Sequence, residues 1–166
     1  MPRVILIGPP GCGKSTVGAA IARRIGSDFI DTDSLVEKNY GHKISDIFVD
    51  KGEDFFRELE FKALEDGLNN PHCVLSLGGG APISPRAQEL LRTKQIPTIF
   101  LDVSLAVAAP RVGFNRDRPL LLGNPRAQWQ GLSQTRRPIY ESLATTVIKV
   151  DAMSVSEIVD QIEKAI

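Results

Sequence analysis

Short, unbroken apolar runs alternate along the chain with longer stretches in which apolar residues recur every three or four positions. The runs Val4–Ile7, Asp28–Asp31, Cys73–Leu77, Thr98–Leu101 and Thr146–Val150 predict five strands. The amphipathic stretches predict helices over Lys14–Ile25, Ser34–Tyr40, Ile44–Asp50, Phe55–Leu68, Pro85–Lys94, Leu105–Val112, Pro125–Ala144 and Val155–Ile166. In the first of these, Val17, Ile21 and Ile25 share one face. Continuous apolar strands spaced by helices imply an α/β protein with a parallel sheet covered on both faces and ligands at the carboxyl ends of the strands. No internal repeat or low-complexity linker interrupts the pattern.

With 166 residues, 42% of them hydrophobic, the chain has material for one sizeable core, so a single domain over residues 1–166 is expected. Formal net charge is zero. No global field recruits nucleic acid or an anionic membrane, which leaves a small molecule as the expected partner. No stretch approaches the ~18 apolar residues of a membrane span, and Met1-Pro2-Arg3 leads straight into the first strand instead of a signal peptide. The expectation is a cytoplasmic monomer. Cys12 and Cys73 lie far apart without metal-site spacing, which supports neither a disulfide framework nor a zinc site.

Chemistry enters directly after the first strand. Gly8-Pro9-Pro10-Gly11-Cys12-Gly13-Lys14-Ser15-Thr16 is a complete G-x-x-x-x-G-K-[ST] phosphate loop in its required strand-to-helix setting. Its glycines let backbone N–H groups turn inward around a polyphosphate, Lys14 supplies a mobile cation, and the Ser15 hydroxyl is placed for Mg²⁺. The helix opening at Lys14 adds the positive end of its dipole. Cys12 is read as a small side chain tolerated where backbone does the binding, rather than as a reactive thiol.

The other strand ends then become the site. The second ends in Asp31-Thr32-Asp33, whose carboxylates share a face if the backbone is extended and could serve Mg²⁺ and a substrate hydroxyl. A plain helix N-cap is the alternative. The third ends in Gly78-Gly79-Gly80, read as a place where a ligand approaches backbone, or else as a tight turn. Arg57, Arg118 and Arg136 are candidates for bidentate contact with carboxylate or phosphate, against the alternative of surface ion pairs such as Arg57 with Glu53, Glu58 and Glu60.

Together the phosphate loop, Asp31-Thr32-Asp33, Phe56-Arg57-Glu58-Leu59-Glu60, Leu77-Gly78-Gly79-Gly80-Ala81, Arg118-Pro119-Leu120-Leu121 and Arg136-Arg137-Pro138-Ile139-Tyr140 resemble the shikimate kinases over nearly the whole chain. The resemblance implies a three-layer α/β/α P-loop kinase with a five-stranded parallel sheet and a mobile lid over about Gly113–Asn124. It implies in-line transfer of the ATP γ-phosphoryl to the 3-hydroxyl of shikimate, giving shikimate 3-phosphate and ADP for aromatic amino acid biosynthesis. By position, Asp33 would hold the reacting hydroxyl, Arg57 and Arg136 would grip the carboxylate, and Gly78, Gly79 and Gly80 would line the ring. Gly11, Cys12, Gly13, Lys14, Ser15 and Thr16 would bind ATP, with Lys14 and Arg118 neutralising the transferring phosphoryl. Ser15 would ligate Mg²⁺, and Asp31 would hold it through water.

The chain departs from the family pattern in having Pro110 where many members have arginine, and in a short segment Asp151-Ala152-Met153-Ser154 lacking their arginines. Arg111 and Arg116 are the substitutes available for adenine. Competing readings are a gluconate kinase of the same fold, a nucleoside monophosphate kinase and a non-catalytic nucleotide-binding module. The glycine triplet and the Arg-x-Pro-x-Tyr motif favour shikimate over gluconate, and a binding module has no need of acceptor-side residues.

Overall fold

In the computed structural model, which describes residues 1–112 and 124–166, five parallel strands form one sheet in the order β2-β3-β1-β4-β5. They are β1 (Val4–Ile7), β2 (Asp28–Asp31), β3 (Cys73–Ser76), β4 (Thr98–Asp102) and β5 (Thr146–Lys149). The helices are α1 (Lys14–Ile25), α2 (Thr32–Tyr40), α3 (Ile44–Lys51), α4 (Glu53–Asn69), α5 (Pro85–Lys94), α6 (Leu105–Val112), α7 (Pro125–Leu143) and α8 (Val155–Ala165). No helix among the described residues is long and apolar enough to cross a membrane.

The all-apolar β1 is buried on both faces because helices cover both. Val4 and Leu6 pack with α1, α6 and α8, while Ile5 and Ile7 pack with α4 and α5. A third, smaller cluster joins Val36, Ile47, Phe56 and Ala63 of α2, α3 and α4. Local signals set most helix ends. Ser84 and Ser154 accept from backbone N–H groups at the starts of α5 and α8, and left-handed Gly26 closes α1.

One boundary differs in a way that matters. α2 begins at Thr32, not Ser34, because Asp31 Oδ1 accepts from Ser34 N at 3.1 Å and caps the helix. Asp33 therefore stands in a first helical turn, where the helix dipole favours negative charge, and not in the extended backbone that the shared-face argument assumed. Sheet order does the rest. β1 lies between β3 and β4, with Leu6 level with Ser76, and Ser76 level with Asp31. The loops after β1, β3 and β2 thus emerge side by side, and β1 and β3 lead to helices on opposite faces, which opens a crevice there.

Candidate active site

The phosphate loop bridges β1 and α1. Gly11 and Gly13 hold left-handed backbone at φ 83° and 94°, which side-chain-bearing residues rarely adopt. Gly13 is the N-cap of α1 and offers no side-chain cap, so the first-turn N–H groups remain for an anion. Lys14 Nζ spans the loop, donating to the Gly8 carbonyl at 2.8 Å and the Pro9 carbonyl at 3.2 Å. Cys12 is 2% exposed and packs into the core beneath the loop, with Sγ 3.5 Å from Lys14 Nζ.

A cavity of about 630 Å³ opens over this loop. Gly11 to Val17, Asp31, Asp33, Leu77, Gly78 and Gly79 line it, with Arg111, Val150, Met153 and Val155. Arg111 Nη1 donates to the Gly11 carbonyl at 3.0 Å. Of the two arginines available for adenine, Arg111 is thus held against the nucleotide loop. Arg116, Arg118 and the lid expected over Gly113–Asn124 lie outside the described residues, except Asn124, which caps α7 through Ala127 N at 3.2 Å.

The glycine triplet after β3 packs against three charged side chains. A Cβ on Gly78 would fall on Asp33 Oδ1, one on Gly79 would lie 3.3 Å from Arg136 Nη1, and one on Gly80 would fall on Arg57 Nη1. None of the three has left-handed backbone. Each glycine thus leaves room for a neighbouring side chain, a reason that stands beside the two expected from the sequence: Gly78 and Gly79 line the cavity, and the loop turns tightly, with Ala81 N donating to the Gly78 carbonyl at 2.9 Å. Thr32, fully buried, accepts from Gly78 N at 2.8 Å and fixes the start of α2 to this loop.

The sequence offers Glu60 only as one of several surface partners for Arg57; its burial is what sequence reasoning misses. Glu60 is 4% exposed and accepts from Arg57 Nη1 at 2.8 Å. Arg57 also reaches Glu53 at 3.3 Å, so its pairing is partly the helical-face pairing foreseen, but the stronger partner is buried. Burial pushes the Glu60 carboxyl above the usual carboxylate range even though Arg57 pulls it back, and Asp33 adds to the rise. The sequence signal was present in the i, i+3 spacing from Arg57.

Two aromatic residues of α7 were likewise not assigned to the site. Tyr140 OH donates to the Gly79 carbonyl at 2.6 Å, and burial lifts its pKa well above the ordinary value, so it keeps its proton. Trp129 Nε1 donates to the Pro10 carbonyl at 2.7 Å. Arg136, 8% exposed, lies one turn before Tyr140.

Ser15, Asp31 and Asp33 bring one hydroxyl and two carboxylates to the same cavity. Hard oxygen donors, too few to cage an ion without water, fit Mg²⁺ carried on a nucleotide. Among the described residues no group of three or more His, Cys, Asp or Glu side chains forms a metal site by itself.

A family model for shikimate kinase matches residues 10–166. The chain belongs to the shikimate kinase family. It is 43% identical over 163 residues to a shikimate kinase of Thermobifida fusca (strain YX), covering 98% of this chain and 94% of that one. Shikimate kinase from Acinetobacter baumannii, solved in complex with shikimate, superposes with a TM-score of 0.94 at 30% identity, over 99% of this chain and 92% of that one. A gluconokinase from Sinorhizobium meliloti 1021 shares the fold at a TM-score of 0.60 and 22% identity, covering 96% and 88% of the two chains. The chain is accordingly an ATP-dependent kinase of this family, and its five-stranded parallel α/β/α architecture is the family's.

Proposed function

We propose that the protein transfers the γ-phosphoryl of ATP to the 3-hydroxyl of shikimate, and that the residues assembled around the phosphate loop and glycine triplet carry the reaction. One observation supports the acceptor most directly. The triplet gathers one carboxylate, Asp33, and two guanidiniums, Arg57 and Arg136, over a single stretch of backbone beside the phosphate loop. A small polyhydroxylated acid needs those groups: guanidiniums for its carboxylate and a carboxylate for a hydroxyl.

In this reading the loop N–H groups and Lys14 hold the donor phosphates, and Arg57 and Arg136 anchor the acceptor so that one hydroxyl faces the γ-phosphorus. Asp33 accepts a hydrogen bond from that hydroxyl and orients it. A loose transition state asks little of a base, so positioning and charge stabilisation are the chain's principal contribution. The oxygen–phosphorus bond to the acceptor forms as the bond to the ADP oxygen breaks, and the hydroxyl proton leaves through Asp33 or to solvent. Mg²⁺, which Ser15 and, through water, Asp31 would hold, supplies charge neutralisation on the phosphates. Arg118 is assigned to the same phosphates by its motif.

The test is ADP release by the purified protein with MgATP and no acceptor, shikimate or gluconate at equal concentration. Shikimate-dependent release is expected. Stimulation by gluconate alone would overturn the acceptor, and silence with both would overturn phosphoryl transfer. Asp33→Asn is expected to lower kcat by about a hundredfold or more while leaving nucleotide affinity within about twofold, checked by steady-state kinetics and by calorimetric titration with MgADP.

A further inference from the structure

The two aromatic residues of α7 belong to cores on opposite faces of the sheet. Trp129 packs with Val4 and Leu6, whereas Tyr140 packs with Ile5 and Ile7. They stand eleven positions apart, about 16 Å along the helix. Each ends on a backbone carbonyl of a different substrate loop: Trp129 on Pro10 at 2.7 Å and Tyr140 on Gly79 at 2.6 Å. Those two loops touch each other, since Pro10 Cδ lies 3.3 Å from where a Cβ of Gly79 would stand.

We propose that α7 is a strut coupling the nucleotide loop to the acceptor floor, with Trp129 and Tyr140 as positioning residues that make nucleotide and shikimate bind cooperatively. The inference rests on the reading of the two substrates given above. Its physical basis is a closed circuit running from Pro10 through Trp129, along α7 to Tyr140, and through Gly79 back to Pro10. The circuit has little slack. Trp129 is 5% exposed and Tyr140 1%, and stranding a buried donor or carbonyl is costly, so a displacement of Pro10 is passed on rather than absorbed. The indole N–H is donor only, and the phenol keeps its proton because burial disfavours its ionised form. Arg136 rides one turn from Tyr140 and beside Gly79, so any shift of this end of α7 reaches the acceptor's carboxylate grip.

Coupling between two binding sites is reciprocal. The affinity of MgADP, measured by calorimetry, should therefore rise about fivefold or more when shikimate is saturating, and shikimate affinity should rise by the same factor with MgADP. Trp129→Phe and Tyr140→Phe each remove one hydrogen bond and keep the ring. Each should cut that factor by more than half, the remainder being what the direct Pro10–Gly79 contact carries, and the double variant should lose no more than either single variant, because both cut the same limb of the circuit. Local roles predict something different: Trp129→Phe would weaken only nucleotide, Tyr140→Phe only shikimate, with the coupling factor intact. That outcome overturns the strut.

A second measurement needs no altered protein to begin. Trp129 is the chain's one tryptophan. Shikimate added without nucleotide should shift its emission, although Trp129 bonds to the nucleotide loop, and Tyr140→Phe should abolish the shift. Unchanged emission while calorimetry reports bound shikimate overturns the inference and leaves the kinase reading standing. Absence of both shikimate binding and turnover overturns the reading, and the strut with it.

Discussion

A methyl group on Gly80 would meet the Arg57 guanidinium, yet the backbone there suits any residue. Gly80→Ala should therefore fold with a Tm within about two degrees of the parent, since a flexible side-chain end yields, while the KM for shikimate rises about tenfold as Arg57 is pushed from its place. Steady-state kinetics beside a thermal melt separates the two effects. Glu60 makes a second prediction at this scale. Burial raises its carboxyl above the unfolded value, so the folded chain holds that proton more tightly than the unfolded chain does. Its contribution to stability is fullest below the ordinary carboxylate pKa and declines as pH rises through the raised folded value. Measured against Glu60→Gln, the parent should lose relative stability from about pH 4 upward, in paired melts across pH. A loss on acidification instead would show the Arg57 pair outweighing burial. Arg57 and Glu60 were legible in the sequence as a pair. That one partner is buried was not, because i, i+3 spacing is the same on a wet face and a dry one.

Helix α1 shows why an element's composition does not by itself give its neighbours. Gly18 lies inside the helix, where alanine is ordinarily better by about 1 kcal/mol. Here a Cβ would fall on the Phe29 ring of β2. Gly18→Ala should thus destabilise the fold by about 1–3 kcal/mol, because overpacking outweighs propensity, and urea unfolding measures it. Element positions followed the sequence closely where caps and apolar runs agree, as at β1, α1, α5 and α6. Disagreement came at the β2–α2 junction, where Asp31 takes the capping role and pulls Asp33 into the helix. In the sequence the cap stands as an alternative to metal and substrate roles, but Asp31 both caps and lines the cavity. At the far side of the sheet, Arg137 pairs with Asp102 at the end of β4 through Nη1 at 2.8 Å and Nη2 at 2.5 Å, tying the turn of α7 that carries Arg136 to the sheet.

At the scale of the whole molecule, binding energy should appear as stability. At MgADP one hundredfold above its Kd, linkage adds about 2.7 kcal/mol, which for a chain of this size raises Tm by about 5–10 °C. Lys14→Ala, which removes the loop's mobile cation, should reduce that shift at the same MgADP concentration by more than half, as read by differential scanning fluorimetry. An unchanged shift would remove Lys14 from the donor site. The cavity proposed to receive the nucleotide depends on strand order more than on any motif, since residues from the first, second, third and fifth strand ends meet in it.

What the sequence determined by itself is what short-range chemistry encodes. The apolar runs and amphipathic periods located the strands and helices. The phosphate loop carried its glycines, lysine and serine within nine consecutive residues. The motif order pointed to the family, because the phosphate loop, the paired carboxylates, the glycine triplet and the arginines follow one another along the chain as they do there. Tertiary structure alone decided which side chain each glycine of the triplet accommodates, that Glu60 is buried under Arg57, and that Trp129 meets Pro10 across 119 positions of chain. These depend on sheet order and on a helix reaching both faces of the sheet. Contacts of that kind are set by the packing of distant segments and leave no periodicity along the chain.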